Sequence, residues 1–199
     1  FNRSEEKRAA NRAEGYAVTG DFTEVYTACD TVLLSVKPQN FAEVLPQLAE
    51  CKCEKPLVLS IAAGISFAKI EAALGADTPI IRAMPNTPSL VNAGMTSVTP
   101  NALVSSEDVA EVLTIFRCFG QAEQIAEPMI HPVVGVSGSA PAYVFMFIEA
   151  MADAAVLGGM PRAQAYKFAA QAVMGSAKMV LESGEHPGAL KDMVCSPGG

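Results

Sequence analysis

Five short stretches of this 199-residue sequence carry residue types that could hold a charged, partly planar ligand. Asn2, Arg3 and Ser4 stand directly ahead of a helical pattern, where a guanidinium and a hydroxyl at a helix N-terminus make an anion site. Ser35, Val36, Lys37 and Pro38 follow an apolar run; Lys37 puts a cation there and Pro38 stiffens the turn. In "AAG", 62–64, three small residues would let a ring or a phosphate approach the backbone. In "MPNTP", 84–88, Asn86 offers an amide between two prolines. The chain closes on "CSPGG", with glycines of the kind used where a ligand nears the main chain. Each stretch also has a plainer reading: an N-capped helix with an exposed arginine, a turn with a solvated lysine, a tight turn, or a rigid structural loop.

Other reactive residue types point to structure. His131 and His186 each precede a proline and read as turn residues. Glu149 lies mid-helix and reads as a buried, hydrogen-bonded acid. The five cysteines, Cys29, Cys51, Cys53, Cys118 and Cys195, are odd in number and form no disulfide framework. Cys51-x-Cys53 has no second ligand pair nearby, so reduced thiols are expected and no metal site. Cys195 reads as a small buried residue.

The elements that must position the five stretches follow from periodicity. Residues 4–13 read as a helix stopping at Gly15, 16–19 as a short strand, and Asp21 with Glu24 as a capping box. "TVLLSV" (31–36), "PLVLSI" (56–61) and "PIIRAM" (79–84) are continuous apolar runs, the pattern of strands covered on both faces. Helices are expected at 39–50, after Ser66 with Phe67, Ile70 and Leu74 on one face, and at 105–118. Strands alternating with helices indicate parallel βαβ units in a doubly wound α/β sheet. After about residue 127 the chain turns helical. Residues 139–159 are apolar nearly all round and should be buried on several sides, by another subunit or by further chain. Pro161 opens the next helix, to about Ser183, and "HPG" (186–188) precedes a third.

Ligands of such sheets bind beyond the carboxyl ends of the strands, where four of the five stretches fall. In dinucleotide folds the second strand ends on an acid that binds the ribose 2′-hydroxyl, or has an arginine nearby for a 2′-phosphate. Arg3 and Ser4 therefore favour NADP(H) over NAD(H), and the reading predicts NADPH as cofactor with NADH possible. No GxGxxG is present, and it is expected upstream of Phe1. The net charge of −7 and the absence of basic runs argue against nucleic-acid or anionic-membrane partners. No stretch reaches the roughly 18 apolar residues of a membrane span, because Glu149 and Asp153 interrupt the greasiest one. A cytoplasmic location is expected.

"SVKP", "SIAAG", "IIRAMPNTP", "GVSGSAPAY", "GMPR" and "HPGALKDMVCSPGG" follow one another in the order and spacing of the pyrroline-5-carboxylate reductases. The chain resembles that family, in a bacterial form, over essentially all its length. The resemblance implies NADPH-dependent reduction of 1-pyrroline-5-carboxylate to L-proline, the last step of proline biosynthesis. It implies a Rossmann-type NADP-binding domain (1–127) lacking its first strand and glycine loop. A helical substrate and dimerisation domain (128–199) would follow, lacking its last helices and interlocking as a dimer or decamer. Family cofactor contacts would fall on Asn2, Arg3 and Ser4, on Ser35, Val36, Lys37 and Pro38, on Ile61, Ala62 and Ala63, and on Asn86 near the nicotinamide. Ser196, Pro197, Gly198 and Gly199 would open the loop that holds the substrate carboxylate. The family's threonine at the substrate nitrogen is expected beyond Gly199, so no catalytic residue is assigned and the 199 residues alone are expected to be inactive. Met193 and Phe22 depart from polar residues of some relatives. Two rival readings remain: a related hydroxyacid dehydrogenase or imine reductase, which would carry a lysine in 139–159 where none occurs, and a non-catalytic nucleotide-sensing or oligomerising protein.

Overall fold

The computed structural model describes residues 1–198. They form two compact units, Phe1–Ser139 and 140–198.

The first unit is a doubly wound α/β sheet, as the apolar runs require. Its strands are β1 (Thr31–Leu34), β2 (Leu57–Ser60), β3 (Ile80–Met84), β4 (Gly94–Pro100) and β5 (Gly120–Gln124), in that spatial order. β1, β2 and β3 pair in parallel, with Leu34 beside Ser60 and Ser60 beside Arg82. Helices α1 (Glu5–Ala13), α2 (Phe22–Ala28), α3 (Phe41–Ala49), α4 (Phe67–Leu74) and α5 (Ser106–Arg117) flank the sheet. Two apolar clusters form its core. One joins Phe41, Val58, Ile70 and Ile80, the other Ile81, Val98, Val112 and Phe116.

Local starts follow the capping residues. Ser66 Oγ accepts from Lys69 N (3.3 Å) and Ser105 Oγ from Asp108 N (3.1 Å), each satisfying an orphan donor. The box at Asp21 is only half formed. Its carboxylate accepts from Thr23 N (2.8 Å), but its own N–H goes to Thr19 Oγ1 (3.0 Å), leaving no donor for Glu24 to close on. Residues 16–19 form no strand. One backbone bond, Asn2 N to Thr19 O (3.2 Å), reaches that end, and one bond makes no ladder.

The sheet is not wholly parallel: β4 runs antiparallel to β3, with Arg82 beside Thr99. β4 and β5 carry no strand signal in the sequence, because "GMTSVTP" and "GQAEQ" lack a continuous apolar run. β4 is nonetheless buried through Thr96, Ser97, Val98 and Thr99, since it lies between β3 and β5 and α5 packs over it. His131 lies in a short helix, α6 (Ile130–Val133), not in a turn. Pro132 fits there because the N–H groups of a first helical turn need no partner inside the helix. A π-helical segment, Val134–Gly138, follows.

The second unit comprises α7 (Ala140–Leu157), α8 (Arg162–Ser183) and α9 (Pro187–Val194). α7 packs on α8, and the buried residues there are the small ones, Ala152, Ala165 and Ala169, which allow close approach. His186 caps α9, its Nδ1 accepting from Gly188 N (3.0 Å). α7 leaves Tyr143, Phe145, Met146 and Phe147 exposed among the described residues, the apolar surface for which another subunit or further chain is expected as cover. Glu149 is exposed too, not a buried acid. One helical run, Glu127–Leu157, is 31 residues long. It is long and apolar enough to cross a membrane by length and composition alone, a test that the core helix of a soluble protein also passes.

All five cysteines are free. Cys195 is exposed rather than buried, because it follows the last turn of α9 on the surface. Burial, then the neighbouring Cys53, raises the Cys51 thiol above its ordinary range. The thiolate is the reactive form, so iodoacetamide at neutral pH should label Cys29 and Cys118 several-fold faster than Cys51. Peptide mass mapping over time checks this, and equal rates would contradict it.

Candidate functional site

The parallel register lines up the ends of β1, β2 and β3 along one edge of the sheet, about 5 Å apart from strand to strand. Three of the predicted stretches therefore sit side by side there. Ser35, Val36 and Lys37 leave β1. Pro38 begins a single 3-10 turn, Pro38–Asn40, closed by Asn40 N donating to Lys37 O (2.9 Å). Ile61, Ala62 and Ala63 leave β2, and Asn86 follows β3 by two residues.

A cleft of about 460 Å³ brings two of the stretches together: Asn2 and Arg3 line it with Ser35, Val36 and Lys37. Phe22 and Val25 add an apolar wall, and Phe22 meets Phe1 edge to face at 5.5 Å between ring centres. Ahead of α1, Asn2 Oδ1 accepts from Ser4 N (3.0 Å) and Ser4 Oγ accepts from Lys7 N (3.4 Å). Ser4 is thus the N-cap of α1. Arg3 Nη2 reaches Glu43 Oε1 on α3 at 3.4 Å, with both side chains 62% exposed. An ion pair so exposed is weak, so Arg3 can exchange Glu43 for another anion. With Lys37 also exposed, an apolar slot is flanked by two cations, an arrangement that suits a planar base carrying phosphate.

The structure does not bring the rest of the predicted set into this cleft. Ala62 is buried and borders a separate small void with Arg82, Met84, Ser97 and Ile130, while Ile61 is half-buried and Ala63 exposed. Asn86 is fully engaged: its Oδ1 accepts from Met95 N (2.9 Å), and its Nδ2 donates to Ser137 O and Oγ (3.2 Å each). It ties the loop after β3 to β4 and to the π-helical segment. In the second unit, Ser196 and Pro197 are exposed and Gly198 takes φ +80°, a left-handed conformation open to glycine. Gly199 lies outside the described residues. Met193, on α9, is exposed.

Sequence reading missed two arginines. Arg8 donates through Nη1 to Asn2 O (2.6 Å) and Arg3 O (3.0 Å). The only local signal was its spacing from Glu5, three residues away on α1. Arg82 lies over the Phe67 ring and pairs with Glu127 at 2.7 Å, its side chain 13% exposed. Forty-five residues separate that pair, beyond any periodicity.

Two family models match the sequence. One, described as pyrroline-5-carboxylate reductase dimerisation, covers residues 127–199, and the other, NADP oxidoreductase coenzyme F420-dependent, covers 1–64. The chain is 73% identical over 176 residues to the pyrroline-5-carboxylate reductase of Escherichia coli (strain K12), covering 88% of this chain and 65% of that protein. It thus spans about two thirds of that relative's length. Among solved structures, the pyrroline-5-carboxylate reductase of Coxiella burnetii superposes with a TM-score of 0.91 at 35% identity, covering 100% of this chain and 74% of that one. The Plasmodium falciparum enzyme with NADP bound superposes at 0.81 with 35% identity, covering 89% and 67%. The sheet, the helical unit after it and these matches agree: the chain belongs to the pyrroline-5-carboxylate reductase family.

Proposed function

We propose that this chain is the greater part of an NADPH-dependent reductase that converts 1-pyrroline-5-carboxylate to L-proline, the closing step of proline biosynthesis. The observation that carries this reading is the cleft in which Arg3, Asn2 and residues 35–37 meet, in a chain of this family. Residues 1–127 would bind the cofactor. Residues 128–199 would bind substrate and pair with a second copy, as a dimer or a decamer built from dimers. Pairing of copies accounts for the apolar surface of α7 without a membrane, and a cytoplasmic site of action accords with free thiols.

The residues present fit the cofactor. Arg3 would meet a 2′-phosphate at the N-terminus of α1 with Asn2 and Ser4 beside it. Ser35, Val36, Lys37 and Pro38 would hold the next part of the dinucleotide. Ile61, Ala62, Ala63 and Asn86 would stand along the strand ends toward the nicotinamide. When bound, NADPH supplies the hydride. A protonated cyclic imine is already electrophilic, so this protein's task is positioning at the right face and distance. The loop Ser196, Pro197, Gly198 and Gly199 would hold the substrate carboxylate through its backbone N–H groups, of which Pro197 has none. Once a hydride reached the imine carbon, the C=N electrons would become the lone pair on a nitrogen that already carries its proton, so no residue of this chain would be needed as a general base.

The protein expressed from its complete coding sequence should oxidise NADPH when 1-pyrroline-5-carboxylate is added, followed by the loss of NADPH absorbance. No change would overturn the reading. Arg3→Ala should raise KM for NADPH by about tenfold, as loss of one charge-assisted anion contact would, and leave KM for NADH nearly unchanged.

A further inference from the structure

Arg8 departs from the pattern of a surface helix. Its side chain is only 16% exposed, although it lies on the first turns of α1, where no residue is fully buried. Its Nη1 holds two consecutive backbone carbonyls, Asn2 O and Arg3 O (2.6 and 3.0 Å). Nε donates to Glu5 Oε2 (2.9 Å), and Nη2 closes the same pair. Gly20 lies against the guanidinium: a Cβ there would stand 3.2 Å from Nη1 and 3.3 Å from Cζ. Beside it, Asn2 N is bonded to Thr19 O. One guanidinium therefore bonds the 2–3 backbone to the first turn of α1, with Gly20 close beside it. A rigid planar fork can serve these partners at once; a single ammonium cannot.

Arg8 does not line the cleft, whereas Asn2 and Arg3 do. We propose that Arg8 is a positioning residue for cofactor discrimination: it fixes the peptide between Asn2 and Arg3, so that the Arg3 guanidinium stands ready for a ribose 2′-phosphate. The inference rests on the nucleotide reading of the cleft. Arg3 has a long, flexible and exposed side chain, and its reach is set by where its backbone is held. With Arg8 gone, the two carbonyls lose their shared donor and the 2–3 segment gains freedom. The cost of ordering it then falls on the ligand that needs Arg3. Contacts made by residues 35–37, on another element, are left as they were.

Binding of 2′,5′-ADP and of 5′-AMP to the complete protein, by calorimetry, separates these effects. Arg8→Met should weaken 2′,5′-ADP by about tenfold, on the scale of one or two hydrogen bonds, and 5′-AMP by less than about threefold. Arg8→Lys keeps the charge and the stem but not the fork. It should recover only part of the loss, and it carries the comparison if the methionine variant melts too low to assay. Equal losses for both nucleotides would mark Arg8 as merely structural and overturn the inference, as would full recovery by lysine. A wild-type protein that binds 2′,5′-ADP no better than 5′-AMP would remove the nucleotide reading and the inference together. A wild-type preference that both variants retain would remove the inference alone.

Discussion

Gly120→Ala is expected to cost about 4 kcal/mol of stability, the sum of backbone strain and overpacking at ~1–3 kcal/mol each. β5 begins at Gly120, paired with Gly94 at the start of β4, and Gly94 N donates to Phe119 O (3.1 Å). A Cβ on Gly120 would stand 2.1 Å from Gly94 O and 2.5 Å from Gly94 N, both main-chain atoms. The φ of Gly120 is +152°, which side chains resist. Neither strand can yield cheaply. β4 is buried along 96–99, and Gly94 itself lies under Ser89, whose Cα would be 2.9 Å from an added Cβ. Gly64→Ala is the control: its φ is +74° and nothing lies within 4 Å of the added carbon, so it should cost only about 1 kcal/mol. In a domain of this size the larger loss lowers the melting temperature by roughly 10 °C. Thermal denaturation of the two variants checks the difference. Equal costs would mean that the β4–β5 start is not packed as described.

Phe147→Glu should convert the assembled protein to monomers. Phe145, Met146 and Phe147 are 62%, 68% and 58% exposed on an 18-residue helix with one buried residue, Ala152, among those described. So large an apolar surface marks an interface, and the proposed pairing of copies supplies one. A buried aromatic anchor contributes about 2 kcal/mol or more when truncated. A two-fold interface presents every substitution twice, so the loss is about 4 kcal/mol, or roughly a thousandfold in the dimer dissociation constant. A buried carboxylate adds to this. Sedimentation velocity at micromolar concentration should show a dimer or larger species become a monomer, while Leu103→Glu, exposed between β4 and α5 in the first unit, serves as a comparison for surface charge alone. An unchanged assembly after Phe147→Glu would place the interface elsewhere.

How much was legible in the residues varies with the range of the interaction. Ser66 and Ser105 signalled helix starts because a cap bonds within three residues of itself. The runs at 31–36, 56–61 and 79–84 signalled covered strands because burial on two faces leaves no room for polar side chains. The loops after those strands were legible as candidate ligand sites because parallel strands place their ends on one edge. β4 and β5 were not legible. Thr96, Ser97 and Thr99 are polar residues buried by neighbours distant in the chain, and no local period reports that. The half-formed box at Asp21 failed for a related reason: Thr19, outside the pattern, took the N–H that the pattern had assigned.

The sequence by itself determined the doubly wound sheet, the change to helices near residue 127 and the family, since these rest on local periodicity and on motifs in fixed order. Tertiary structure alone decided which residues meet. It gathered Asn2, Arg3 and residues 35–37 into one cleft and left Ala62 and Asn86 outside it. It engaged the Asn86 amide with Met95 and Ser137, and it set Arg8 beneath Arg3 and Arg82 against Glu127. Hydrogen bonds and ion pairs have short reach in space and none along the chain. Residues three apart and forty-five apart can make the same bond, and only the fold says which do.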